Sequence, residues 1–249
     1  MSNPLLERTY DIRPHEVDNH GKLRPVILLK YLQNAASEHT VQLGISVGRL
    51  KELGLTWVMS RMHLLMSRYP HRGELLMVRT WPALREGIFS IRDFELLDES
   101  GVIIGRATSS WAVLDLESRK PVRIAERLPD YPLHPFRSLE DRFATLPSLK
   151  NPESSVRMPV LRSDLDLNQH VNNTIYAGWG VEAAPGRLAD SCLPMEIEIG
   201  FRAEAHYGDS IVSLCAAEQG DDHCLLHRIE HADSGLELAR LRTRWKPVV

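Results

Sequence analysis

Apolar residues recur at helical spacing in two stretches of the chain, while most of the remainder reads as short apolar runs broken by turn residues. In RPVILLKYLQNAASEHTVQLG (24–44), Leu28, Leu32, Ala35 and Ala36 stand at i, i+4, i+7 and i+8, which is one face of a helix. Pro25 suits a helix start and Gly44 a helix end. The second stretch is NNTIYAGWGVEAAPG (172–186), where Asn172 or Asn173 caps the start and Pro185-Gly186 stops the run. Both are apolar over much of their circumference, which predicts helices wrapped by other structure.

The strand signals lie between these helices and after the second. LTWVMSRMHLLMSRY, ELLMVRTWPAL, GIFSIRDFELLDESGVIIGRATSSWAVLD and PMEIEIGFRAEAHYGDSIVSLCAAE carry no helix punctuation. LLDESGVIIG is a hairpin, two apolar runs around Asp-Glu-Ser-Gly. From Lys120 to Pro159 the pattern changes. Seven prolines and little periodicity mark a linker, with a short helix expected near SLEDRFA (138–144).

The halves on either side of that linker resemble each other. A shift of 148 lays HEVDNHGKLRPVILLKYLQNAA onto SDLDLNQHVNNTIYAGWGVEAA, so that Asp18 meets Asp166, Tyr31 meets Trp179 and Ala35-Ala36 meets Ala183-Ala184. A shift of 135 matches His71 with His206 and Gly73 with Gly208, and one of 134 pairs RATSSW with RLRTRW. The segment GISVGRLKELG occurs only in the first half. This ordered self-similarity implies duplication, each half a helix followed by antiparallel strands. The expected fold is therefore α+β, a double hotdog: two tandem repeats forming one continuous curved sheet around two central helices. Its parts are an N-terminal repeat (1–120), a linker (121–155) and a C-terminal repeat (156–249).

Composition excludes more than it selects. With 249 residues, 43% hydrophobic and 25% charged, the chain is a folded protein rather than a disordered one. A formal charge of -3 gives no global reason to expect nucleic acid. Cys192, Cys215 and Cys224 form neither CxxC pairs nor a zinc spacing, which suits a reducing cytosol, and no metal or cofactor is expected. The N-terminus is charged within its first ten residues, and no run approaches the roughly 20 apolar residues of a membrane span. A cytoplasmic protein without membrane partners is the expectation.

The candidate chemistry lies in DLDLNQHVNN (164–173). On extended chain Asp166, Asn168 and His170 share one face, roughly 6.7 Å apart, with Leu165, Leu167 and Val171 anchoring the other. A helix N-terminus follows at once. A carboxylate, an amide, an imidazole and helix N–H groups are what is needed to polarise a carbonyl and hold a water. The same residues equally describe a turn and a helix cap, so the motif alone leaves both readings open. The first half offers one discriminating fact: its counterparts are Asp18, His20 and Lys22, so only the aspartate is shared.

DLDLNQHVNNTIYAGWGVEA resembles the signature of the fatty acyl-acyl carrier protein thioesterases of plants and bacteria. LTWVMSRMHLLMSRYPHRGE, VRTWPALREGIFSIRDFELLDESGVIIGRATSSWAVLDLESRKPVRI and EIEIGFRAEAHYGD are similar to that family's successive blocks in the same order, from about Tyr10 to Trp245. The resemblance implies a double hotdog and, without a plastid leader, a bacterial member. It places the family's catalytic aspartate, asparagine and histidine on Asp166, Asn168 and His170, and its catalytic glutamate on Glu204, read as part of a strand. The cysteine that usually follows that glutamate is Ala205 here, so a cysteine nucleophile is not expected and water remains.

The implied reaction is hydrolysis of a fatty acyl-acyl carrier protein thioester. In it Glu204 with Asp166 would activate water, Asn168 would stabilise the oxyanion, and His170 would position the thioester or protonate the thiolate. The implied partners are acyl carrier protein and a fatty acyl chain, the chain held by the N-terminal repeat, with the Trp57–Met66 strand as one wall. Because that carrier is acidic, two basic rows qualify as its dock: Arg240, Arg242, Arg244 and Lys246, or Arg119, Lys120, Arg123 and Arg127. The oligomeric state is open, a homodimer included. Three rivals remain at this stage: an acyl-CoA thioesterase, a hotdog dehydratase and a non-catalytic acyl-binding sensor.

Overall fold

The computed structural model describes residues 3–248. The chain divides into two compact units at Phe143/Ala144, inside the proline-rich segment.

The first unit contains β1 (Leu6–Asp11), α1 (Pro25–Gln42), α2 (Val47–Glu52), β2 (Leu55–Met66), β3 (Leu75–Glu86), β4 (Phe89–Leu97), β5 (Ile103–Asp115) and α3 (Ile124–Arg127). Its strands lie in the order β1-β3-β4-β5-β2, all antiparallel. Helix α1 packs on β3 and β1. It buries the predicted Leu28, Leu32, Ala35 and Ala36 together with Leu29, Tyr31 and His39. Each fully buried leucine contributes about 1.5–3 kcal/mol. Pro25 opens the helix. Gly44, at φ +72°, closes it with the Gly44 N–H to Val41 and Ile45 N–H to Thr40 bonds of a Schellman end.

The second unit repeats the plan with β6 (Ser154–Pro159), α4 (Asn173–Glu182), α5 (Gly186–Ala189), β7 (Cys192–Phe201), β8 (Ser210–Glu218), β9 (Asp221–His231) and β10 (Glu237–Pro247). The order β6-β8-β9-β10-β7 corresponds strand for strand to the first unit, again antiparallel. Asn172 caps α4, its Oδ1 accepting from Thr174 N–H at 3.0 Å. Gly180 lets α4 lie close on β10: a Cβ there would stand 2.9 Å from Leu241 Cδ2. Each unit is thus one main helix, α1 or α4, laid on five antiparallel strands and accompanied by shorter helices, the α+β hotdog plan read from the repeat.

Two local expectations are overturned. SLEDRFA is not helical. Its polar groups are taken by distant partners instead: Ser138 N–H donates to Asp93 Oδ2 at 2.8 Å, as does the preceding Arg137 side chain at 2.9 Å, and Asp141 binds His63 Nδ1 at 2.7 Å. The linker's only regular elements are α3 and the start of β6, an edge strand on which Pro159 is tolerated. Finally, the run from Pro194 to Glu218 is two strands, β7 ending at Phe201, so Glu204 lies in a connection and not on a strand.

Two imidazoles are buried in a neutral state. His39 Nδ1 accepts from Arg92 Nη1 at 3.1 Å while its Nε2 meets the Asn3 carbonyl at 3.1 Å. Burial, aided by the Arg92 charge, lowers its pKa to about 4. His227, bonded to Thr243 Oγ1 at 2.7 Å, is lowered by burial to about 3. Both folded values lie below the ordinary histidine value near 6.5. The unfolded chain therefore binds the extra proton first as pH falls. Stability is full above about pH 6.5 and declines toward pH 4, by about 1.4 kcal/mol per unit for each imidazole. Urea midpoints between pH 7 and 5 check this, and a flat series would refute it.

Candidate active site

The segment DLDLNQHVNN folds into a tight turn, not an extended row. Leu165 bridges Val171, Asp166 N–H bonds His170 O at 2.8 Å, and Gln169 N–H bonds Asp166 O at 3.0 Å. Gln169 sits at φ +63°, a conformation that costs a residue with a Cβ about 1–2 kcal/mol. Val171 is buried as an anchor, but Leu167 is fully solvent-exposed at the tip. Asp166 holds the turn from inside. Its Oδ1 accepts from Asn168 N–H at 2.7 Å and, more weakly, from His170 N–H at 3.4 Å.

The first unit builds the same turn. Asp18 Oδ1 accepts from His20 N–H (2.8 Å) and Lys22 N–H (3.0 Å), and Gly21 takes the left-handed position at φ +72°. The shared aspartate is therefore explained by backbone geometry. What the second unit adds is Asn168 and His170.

Glu204 reaches this turn from the connection after β7. Val171 N–H bonds Ala205 O at 2.9 Å, His170 bridges His206, and Tyr176 on α4 accepts the Ala205 N–H at its hydroxyl, 3.1 Å away. Burial raises the Tyr176 pKa to about 12, so the hydroxyl stays protonated. With Ala205 pinned at both ends, the residues beside it emerge next to His170. Glu204 Oε1 lies 3.2 Å from His170 Nδ1, with the side chains 50% and 32% exposed. The His206 ring stands edge-on to that of His170, centroids 5.0 Å apart. At the rim, the Arg162 guanidinium covers the Tyr207 ring at 4.0 Å.

Of the four residues expected to act, the fold brings His170 and Glu204 into contact, while Asp166 and Asn168 share the turn that carries His170. Tyr176 and His206 were not anticipated as part of this site. The 135-residue shift that paired His71 with His206 was the available signal. The first unit has no such pair at the corresponding place: Lys22 and the buried Tyr69 stand for His170 and Glu204. A pocket of about 440 Å³, lined in part by Asp18, Gly21, His71 and Arg72, lies there.

The three cysteines are buried, Cys192 and Cys215 in an apolar cluster with Leu188, Leu225 and Trp245. Burial pushes the Cys215 thiol up to about 12 and the Cys224 thiol up to about 11. The basic row on β10 exists, but its arginines are already engaged: Arg240 by Glu237, Arg242 by Glu218, Arg244 by Asp221 and Glu196. In the linker row, Arg127 pairs with Asp115 and Arg123 approaches Glu126.

A duplicated hotdog with an imidazole–carboxylate pair at one of its two matching turns defines a protein with the groups of a hydrolase. The chain belongs to the acyl-ACP thioesterase family: residues 4–130 match the acyl-ACP thioesterase N-terminal domain and residues 148–247 the C-terminal domain. It is 28% identical to oleoyl-acyl carrier protein thioesterase 2 of Arabidopsis thaliana, over 94% of this chain and 75% of that one. Among solved structures it is similar to an acyl-ACP thioesterase from Bacteroides thetaiotaomicron, with a TM-score of 0.83, 25% identity and 98% of each chain covered. The 12:0-ACP thioesterase from Umbellularia californica shares the fold, with a TM-score of 0.86, 23% identity, and 100% and 99% covered. Among the described residues, no helix is long and apolar enough to cross a membrane.

The twin turns generate a paired test. Asp18→Ala removes the carboxylate acceptor of the His20 and Lys22 backbone N–H groups and lowers unfolding free energy by about 1–2 kcal/mol, with turnover retained. Asp166→Ala loses similar stability and turnover as well, because the His170 backbone is released. Denaturant melts and steady-state rates on both variants separate the effects. Lost turnover at unchanged stability in Asp166→Ala would return Asp166 to a direct catalytic role.

Proposed function

We propose that the chain hydrolyses the thioester between a fatty acyl chain and acyl carrier protein, with water as nucleophile and Glu204 as its base. The observation that supports this most is the 3.2 Å contact between Glu204 Oε1 and His170 Nδ1, at the turn where the duplicate has neither group. Water adds its oxygen to the thioester carbon while Glu204 takes its proton. The carbonyl oxygen becomes an oxyanion facing Asn168 and the N–H groups at the start of α4. Collapse breaks the carbon–sulfur bond, leaving the fatty acid. The proton held by the Glu204–His170 pair passes through His170 to the departing pantetheine thiolate. Asp166 acts as a positioning residue: by accepting from the His170 and Asn168 N–H groups it sets the turn from which both side chains project.

The substrate is carried over from the family. Its carrier-borne thioester fits a site that is open at the surface, and acyl carrier protein is the partner. The N-terminal unit, without the His–Glu pair, is assigned the acyl chain, and the cytoplasm is the proposed location. A sensor that only binds acyl groups would have no use for a contacting base and acid.

Glu204→Gln keeps the fold, because the side chain is half-exposed, and lowers kcat by a factor of about 10²–10⁴. Near-normal kcat in that variant sinks the assignment. With one acyl chain offered on both carriers, kcat/KM is higher for acyl carrier protein than for coenzyme A; the reverse order favours an acyl-CoA thioesterase. Under native conditions iodoacetamide leaves activity intact and the three thiols unmodified, since all are buried. Inactivation with labelling of a single cysteine would overturn the water mechanism.

A further inference from the structure

The imidazole–carboxylate pair has a third potential ligand beside it. His170, Glu204 and His206 each offer one donor atom, and the three atoms all lie within 4.8 Å of one another. A tetrahedral zinc ion with bonds of about 2.0–2.1 Å needs its donors about 3.3 Å apart. The His170–Glu204 separation of 3.2 Å already meets that. His206 is edge-on to His170 at an interplanar angle of 87°, and its half-exposed side chain can close the rest by rotation.

The surroundings also suit a metal. Asp209 Oδ2 accepts the His206 backbone N–H at 2.8 Å and lies 4.0 Å from His206 Nδ1, while its Oδ1 is 3.6 Å from His231 Nε2. A carboxylate behind a ligating imidazole orients the ring and raises its basicity. Two imidazoles and one carboxylate on an open surface are a borderline donor set that favours Zn²⁺ over the hard, oxygen-seeking Mg²⁺. A solvent water completes the shell.

We propose that His170, Glu204 and His206 form a Zn²⁺ site, and that the bound ion inhibits the enzyme. The ion takes the lone pairs with which Glu204 receives a proton from water and His170 relays it. Occupancy and turnover are then mutually exclusive. The inhibitory consequence rests on the roles proposed above for Glu204 and His170; binding itself does not.

Two measurements on the full chain in metal-free buffer test this, with ZnCl₂ as the probe. By calorimetry, wild type binds one Zn²⁺ at this site, and His206→Ala and His206→Asn bind it about tenfold or more weakly. Equal affinity in wild type and both variants overturns the site. In the second measurement, direct release of fatty acid falls at least tenfold as Zn²⁺ saturates the calorimetric site, and EDTA restores it. Each protein is compared with its own metal-free rate, and the variants require correspondingly more zinc. Binding without inhibition, stimulation by Zn²⁺, or an equal effect of MgCl₂ overturns the inhibitory role. The roles of Glu204 and His170 are judged separately, by the metal-free rate of Glu204→Gln.

Discussion

The second unit's site depends on how Ala205 is held. Its carbonyl accepts from Val171 and its N–H donates to the Tyr176 hydroxyl, so the connection after β7 is fastened to both the turn and the first helical turn of α4. The residue has no exposed surface, and the backbone is therefore fixed where it passes His170. A side chain on either neighbour must then emerge beside the imidazole. Glu204 and His206 occupy those two places, and the 3.2 Å contact follows from backbone register rather than from attraction across an open surface. A surface ion pair alone is worth about 0–1 kcal/mol, too little to fix such geometry. A buried Ala205 peptide group left without its bond costs about 1–3 kcal/mol, and that sets the scale of the restraint.

The first unit shows that this frame does not require the chemistry. Leu23 N–H bonds Pro70 O at 2.9 Å, Lys22 bridges His71, and Ile12 N–H bonds Glu74 O. The corresponding second-unit contacts are Val171 to Ala205, His170 to His206, and Val160 to Asp209. The bonds agree position by position under the shifts of 148 and 135. Where the second unit exposes Glu204, the first buries Tyr69, and where it carries His170, the first carries Lys22. Substitution at two positions on a conserved scaffold thus separates a unit with a contacting acid–base pair from one without.

This division explains what the sequence could disclose. Helices α1 and α4 were legible because capping residues and apolar periodicity are local signals that packing reinforced. The repeat was legible because residues that shape turns, Asp18 matching Asp166 and Gly73 matching Gly208 at φ +83° and +91°, recur in order. The shape of DLDLNQHVNN is open in the sequence, between an extended row and a turn, because a hairpin turn also alternates polar and apolar residues. Leu167 is at an apolar position in that alternation yet is fully exposed, since the bond from Gln169 to Asp166 folds the chain back before it can present a second face. SLEDRFA has helical composition, but Asp93 and His63, far away in sequence, claim its polar groups. No local pattern encodes those bonds. Glu204 was found only through family resemblance; its neighbours do alternate in exposure, but the ladder that would make this a strand stops at Phe201.

The proposed pair is strongly constrained in position yet weakly shielded from water. At 32% and 50% exposure, His170 and Glu204 act in a high dielectric, where a proton held between them and an oxyanion beside Asn168 gain little from electrostatics. Low dielectric has to come from the substrate. An acyl-pantetheine thioester lying over the turn displaces that water and strengthens each of these interactions at the moment charge develops. Binding of groups remote from the carbonyl is then expressed in the transition state rather than in the ground-state complex. With the roles proposed for the pair, the exposed rim, from Leu167 at the tip to Tyr207 beneath Arg162, is the surface on which that enclosure would form. The protein fixes the groups in register, and the carrier-borne substrate supplies the enclosure in which they work.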